Sequence, residues 1–185
     1  MLQAGDVDAV QRIAFRAMTL ADLPLMQRWL GEPHVREWWG EPDTELGYIR
    51  DMIEGRDTTR PFIFSVDGEP VGYIQYWFID HHQTPRWIGD YPWLAELPSD
   101  AIGVDLTIGV AGRLSQGIGS GVLRAFAEHL AGQGHRTIVI DPDPANTRAV
   151  RAYEKAGFRA VPRLLGRTGD TLIMQYEPKD SGPQP

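Results

Sequence analysis

The run Gln116-Gly117-Ile118-Gly119-Ser120-Gly121 stands between an apolar stretch at 101–110 and a helical pattern over 118–131. Glycines at such a junction let backbone N–H groups turn toward one point, and the start of a helix adds positive potential. That arrangement binds phosphate. Taken alone, a run of this kind is also a plain flexible turn; its strand–turn–helix setting favours the anion site. No Gly-Lys-Ser/Thr follows, so it is not a Walker loop. A dinucleotide loop belongs after the first strand of a βαβ unit, with an acidic partner about 20 residues on. Here the glycines follow the fourth strand of a chain whose first half reads as largely antiparallel. The pyrophosphate of some other cofactor fits better.

A second residue with chemical potential is Asp105, between apolar neighbours in AIGVDLTIGV. A charge in mid-strand is costly without a partner. Either it turns outward at an irregularity near Gly103, or it faces a site that uses a carboxylate. Trp38 and Trp39 follow Glu37 and precede Gly40; they either pack the first helices on the sheet or wall a ligand. His81 and His82 carry the usual metal-binding group, but no third ligand has suitable spacing and adjacent side chains point apart on an extended chain. No metal site is expected, and no serine–histidine–carboxylate set stands out.

The elements that must hold these residues follow from periodicity. Residues 10–18 alternate as a first strand. Thr19 is an N-cap with Asp22 in the capping-box position, and Leu20, Leu23, Met26, Trp29 and Leu30 give a helix over 20–30. A second, shorter helix is expected at 43–54. Phe62–Val66, Asp67-Gly68 and Val71–Ile79 form a hairpin. Residues 80–100 carry Trp87, Tyr91 and Trp93 without periodicity; a loop this long is usually functional or disordered, and its aromatics point to ordered and functional. Strand 101–110, helix 118–131, strand 137–140, helix 145–155 ended by Gly157, and a closing strand at 170–176 complete the chain. The order β-α-α-β-β-β-α-β-α-β-β predicts a mixed α/β (α+β) sheet with helices on its faces.

Bulk properties bound the function. At 185 residues the chain is expected to form one domain over 1–176, with a polar, frayed tail at 177–185. There is no cysteine, which removes disulfides and thiolate chemistry and is compatible with the cytoplasm. The formal net charge of −7 argues against general nucleic-acid binding. It serves solubility or a cationic substrate. No signal peptide or membrane-length apolar run is visible.

The segment Asn146-x-x-Ala149-x-x-x-Tyr153-Glu154-Lys155-x-Gly157-Phe158 resembles the last conserved segment of GNAT acetyltransferases, and the glycine run some 30 residues earlier resembles their pyrophosphate loop. That family's loop has a basic or amide residue where this chain has Leu114; Arg113 is one place off. The resemblance sharpens on Glu37-Trp38-Trp39-Gly40, Gly68-Glu69-Pro70-x-Gly72-Tyr73, Gly103-x-Asp105 and Asp141-Pro142-x-Pro144-x-Asn146, shared with a group of aminoglycoside 6′-N-acetyltransferases. It spans about Phe15 to Gln175. Siderophore lysine acetyltransferases share parts of the same pattern.

This resemblance implies a central, mostly antiparallel sheet splayed between two parallel strands, 101–110 and 137–141, with acetyl-CoA in the opening. It implies cofactor contacts from Leu106, Thr107, Ile108, Gln116, Gly117, Ile118, Gly119, Ser120, Asn146, Ala149 and Tyr153. The amine must be neutral to attack, so Asp105 would bind the ammonium and take its proton, directly or through water. Backbone N–H groups after Asp105 would polarise the thioester carbonyl. Tyr153, if it is not simply a packed helix tyrosine, would return a proton to the leaving sulfur. Trp39, Asp90, Trp93, Asp105 and Asp141 would hold a polycationic sugar, with Glu96, Asp100 and Asp170 as lesser acidic candidates. The implied partner is a small cationic amine, and the protein would be a monomer or homodimer. Three other outcomes stay open: a siderophore or metabolite amine as substrate, a protein N-terminus as substrate, and a CoA-binding or drug-sequestering module without catalysis.

Overall fold

The protein is described by a computed structural model covering residues 12–178. Part of the expected first strand, at 10–11, and all of the tail beyond 178 lie outside the described residues.

Among the described residues, seven strands form one sheet: β1 (Ile13–Ala17), β2 (Arg60–Val66), β3 (Glu69–Phe78), β4 (Ile102–Ile108), β5 (Ile138–Ile140), β6 (Phe158–Ala160) and β7 (Met174–Tyr176). Their spatial order is β1-β2-β3-β4-β5-β7-β6, and every neighbouring pair is antiparallel except β4 and β5. The mixed, mostly antiparallel sheet expected from the sequence is present. The single parallel pair holds for only two rungs, Ile102 with Ile138 and Gly103 with Val139. Beyond them β4 continues to Ile108 while β5 turns to β7, so the two strands part.

Between β1 and β2 lie α1 (Leu23–Gly31), α2 (Pro33–Trp39) and α3 (Pro42–Ile53). The expected capping box at Thr19 and Asp22 forms on a 3₁₀ turn that leads into α1. Asp22 also takes a two-pronged hydrogen bond from Arg16 at 2.6 and 2.8 Å, which holds its carboxyl down at about 2. α2 has no counterpart in the sequence reading. It starts with Pro33 and buries only Val35 in seven residues, too little for a visible 3.6-residue period.

The segment 80–100, read as a loop, is folded into α4 (Ile79–His82), α5 (Pro85–Asp90) and a 3₁₀ turn at Pro92–Glu96. Helices of four to six residues are too short to show periodicity. α6 (Ile118–Gly132) follows β4, and α7 (Thr147–Ala156) follows β5.

The period-two alternation of β3 and β4 sends side chains to two faces. Ile74, Ile102 and Val104 pack with Ile118, Val122, Leu123 and Phe126 of α6 on one face. On the other, Ile63 and Tyr73 pack with Met26, Trp29, Leu30 and Ile49 from α1 and α3. A third apolar group joins Ile79, Trp93, Leu94 and Leu97 to Val139 and Ile173. These cores fix the rims of the opening between β4 and β5.

Candidate active site

A cleft of about 650 Å³ occupies that opening, within the range of ordinary small-molecule sites. Its lining comes from α2 and α3, from Gln75 on β3, from β4, from the end of β5 and the loop after it, from the turn before α6 and its first residues, and from α7. Charge is divided among these elements. Arg148, Arg151 and Lys155 are on α7; Glu45 is on α3, Asp105 on β4, Asp141 just after β5, and Asp143 in the loop before α7.

The glycine turn is shaped by the backbone. Gly117, the residue before α6, has φ +77°, a left-handed conformation that glycine adopts without a Cβ penalty. Leu114, Ser115, Gly117, Gly119 and Ser120 line the cleft. Gln116 and Ile118 do not. The Gln116 amide donates back to the Gly112 carbonyl at 2.7 Å, and the Ile118 side chain is buried in the core under α6. At these two positions only main-chain groups are available to a ligand, since one side chain is tied back and the other is interior.

Leu106, Thr107 and Ile108 line the same cleft beyond Asp105. Asn146 caps α7 by accepting from the Ala149 N–H at 3.1 Å, which leaves its Nδ2 without a role in the helix. Ala149 and Tyr153, four residues apart on α7, also face the cleft.

Asp105 faces the cleft rather than outward solvent. Its Oδ2 accepts from Gln75 Nε2 at 2.8 Å and from Trp77 Nε1 at 3.0 Å. Burial raises its pKa above the ordinary carboxylate value, while these two donors and the nearby His82 pull the other way. Burial, reinforced by Asp105, pushes Asp141 well above the ordinary value; its own backbone N–H opposes this. Burial and then the two carboxylates raise the Tyr153 phenol, so it stays protonated at neutral pH.

The expected sugar-binding residues divide. Trp39 and Asp141 line the cleft, and Trp39 also packs edge-on against Tyr73 with ring centroids 5.5 Å apart. Asp90 and Trp93, expected beside the sugar, are not among the residues that line the cleft. Asp90 ends α5, exposed and away from the cleft lining, and Trp93 is 5 % exposed inside the third apolar group. An indole in an irregular segment reads as available, but here the segment folds its aromatic under the sheet. Glu96 pairs with Arg167 at 2.9 Å, and Asp100 and Asp170 are exposed away from the cleft. His81 and His82 turn to different partners, Thr58 and the Phe78 carbonyl.

Sequence reasoning missed Glu45, Gln75 and His34, all of which line the cleft. Burial, then Asp105, raises the Glu45 carboxyl. His34 Nε2 donates to the Ile108 carbonyl at 2.8 Å and ties α2 to the end of β4. Gln75 could have been found by setting the hairpin register against β4, because it stands directly opposite Asp105.

Comparison with known proteins agrees with this geometry. The family description "Acetyltransferase (GNAT) domain" matches residues 19–164. An aminoglycoside N(6′)-acetyltransferase type 1 of Klebsiella pneumoniae is 33 % identical over 170 residues, covering 88 % of this chain and 81 % of that protein. The solved structure of AAC(6′)-Ib with paromomycin and acetyl-CoA superposes with a TM-score of 0.74 at 29 % identity, over 90 % of this chain and 93 % of that one. AAC(6′)-Ib with coenzyme A and kanamycin gives 0.71 at 28 % identity, over 89 % and 93 %. The chain belongs to the GNAT acetyltransferase family. It is an acyltransferase built on that family's splayed sheet.

Proposed function

We propose that the protein transfers the acetyl group of acetyl-CoA to the 6′-amine of an aminoglycoside, and so confers resistance to it. The observation that carries this reading is the division of charge in one cleft: the cations Arg148, Arg151 and Lys155 and two helix starts on one set of elements, the carboxylates Glu45, Asp105 and Asp141 on the other, with Asp143 in the loop between them. The first set suits a pyrophosphate-bearing co-substrate, the second a polycationic sugar. The similarity to aminoglycoside acetyltransferases over most of the chain supports the same substrate class.

In this mechanism the N-terminus of α6, opened by Gly117, Gly119 and Ser120, holds the pyrophosphate of acetyl-CoA. Asn146 Nδ2 and the face of α7 at Ala149 hold its pantetheine arm. Glu45, Asp141 and Trp39 orient the sugar. Asp105 receives the ammonium and takes one proton, which frees the nitrogen lone pair. The N–C bond forms and the C–S bond breaks, with the backbone N–H groups of Leu106 and Ile108, which alternate away from β3, facing the developing negative oxygen. Tyr153 gives its proton to the departing sulfur. Much of the acceleration comes from holding amine and thioester together.

Among the described residues, no helix is long and apolar enough to cross a membrane. The reading places the reaction in the cytoplasm. The proposed state is a monomer or a homodimer. Purified protein with acetyl-CoA and kanamycin should release free CoA and yield a drug one acetyl group heavier. No release with kanamycin or tobramycin, beside rapid turnover of a hydroxylysine amine, would overturn the substrate assignment.

A further inference from the structure

Tyr73, Gln75 and Trp77 alternate along β3 and share one face, opposite Thr107, Asp105 and Gly103 of β4. The Tyr73 hydroxyl donates to Gln75 Oε1, which turns the amide so that its NH₂ meets Asp105. Trp77 does not line the cleft. Its indole lies over Gly103, where an added Cβ would come within 2.2 Å of ring atom Cε2. No side chain and this indole can share the position. The His82 imidazole meets the indole edge-on, centroids 4.8 Å apart at 70°, and is itself anchored on the Phe78 carbonyl. Among the described residues, no protein group donates to Asp105 Oδ1.

We propose that Trp77, seated on Gly103, is a positioning residue for the proton transfer: with Gln75 it pins Oδ2 of Asp105 and leaves Oδ1 to the incoming amine. This rests on the reading of Asp105 as the base. Donors to an ionised carboxylate favour the ionised form, so the clamp also keeps the base ready at lower pH. The other titratable groups around Asp105 are Glu45 from α3, Tyr73 on β3, His82 of α4, Asp141 after β5 and Tyr153 of α7. Gln75 and Trp77 are the two that donate to its oxygens.

The test combines a spectroscopic and a kinetic measurement on the full chain. Among the six tryptophans, the Trp77 indole N–H resonance is identified by its loss in Trp77→Phe. In the wild-type protein that resonance should titrate with pH, and the Asp105-dependent part of the titration should vanish in Asp105→Asn. Trp77→Phe keeps an aromatic ring over Gly103 but removes the donor. Its kcat/KM profile for kanamycin should move its acid limb up by about one pH unit, an activity loss of about tenfold on the acid side that recovers as pH rises. Gln75→Met should move the limb the same way, which keeps the test alive if Trp77→Phe does not fold. An indole resonance blind to Asp105, or an unmoved limb in a folded variant, overturns the clamp. If Asp105→Asn itself retains full activity, the base assignment fails instead, and the two failures are distinguishable.

Discussion

Asp105 and Asp141 stand at the same depth in the opening of the sheet: each lies two residues beyond the last parallel rung, Gly103 with Val139. Both face the cleft, and Asp105 is one cause of the raised pKa of Asp141. Two carboxylates on opposite banks of one gap suit the multiply charged amine of the proposed reaction.

Asp105→Asn should lower kcat with kanamycin by about 10²–10⁴-fold, the usual contribution of a positioned base. The KM for acetyl-CoA should change little, because the glycine turn is untouched. As the proposed base, Asp105 works only when ionised, and burial raises its pKa. The kcat/KM profile should therefore rise with pH through a limb lying above the ordinary carboxylate value. Steady-state CoA release from about pH 5 to 9 checks both statements.

Asp141→Asn separates binding from stability. The folded-state pKa of Asp141 is raised well above its unfolded value, so the folded protein holds the proton more tightly. Stability then falls as pH rises from the unfolded value through the folded one. Replacing the carboxylate removes that loss, so Tm should rise at pH 7–8, by about 2–4 °C for each kcal/mol regained, and little at pH 4. Over the same range the KM for kanamycin should increase by roughly tenfold, a loss of about 1.4 kcal/mol. Calorimetric melts and kinetics on one preparation test the opposed signs.

Gly117→Val should weaken acetyl-CoA binding. A β-branched residue does not adopt φ +77° without strain, which costs roughly 1–2 kcal/mol, and relief of that strain would turn the N–H groups away. Titration calorimetry with CoA should show a Kd at least about tenfold higher, with the kanamycin affinity of the CoA-free protein preserved.

Asp22→Asn probes the acid end of stability, far from the cleft. The folded pKa of Asp22 is lowered to about 2 by Arg16. Its contribution is fully present above the unfolded value near 4, and is lost as pH falls toward 2. The variant should be less stable by roughly 1 kcal/mol at pH 6, and the difference should shrink below pH 4. Urea melts at pH 6 and pH 3 give the comparison.

The parts of the fold legible in the sequence are those whose pattern is long enough to read. α6 and α7, the hairpin turn at Asp67-Gly68 and the alternation of β4 all have clear periods or turn residues. α2, α4 and α5 do not, because these helices of four to seven residues bury one side chain or none. The same limit explains the site. Asp105, Gly117, Asn146 and Tyr153 lie on long elements with familiar spacing. Trp93 looked available because its segment showed no period, whereas its burial is decided by Val139 and Ile173, residues far along the chain. Glu45 reaches Asp105 only through the packing of α3, which no local spacing encodes.

The most direct measurement is a crystal structure of the protein with CoA and kanamycin bound together. The account predicts the pyrophosphate against the N–H groups at the start of α6, with the 6′-nitrogen within hydrogen-bond reach of Asp105 and beside the CoA sulfur. CoA bound outside the gap between β4 and β5, or an Asp105 carboxylate turned from the drug, would contradict it.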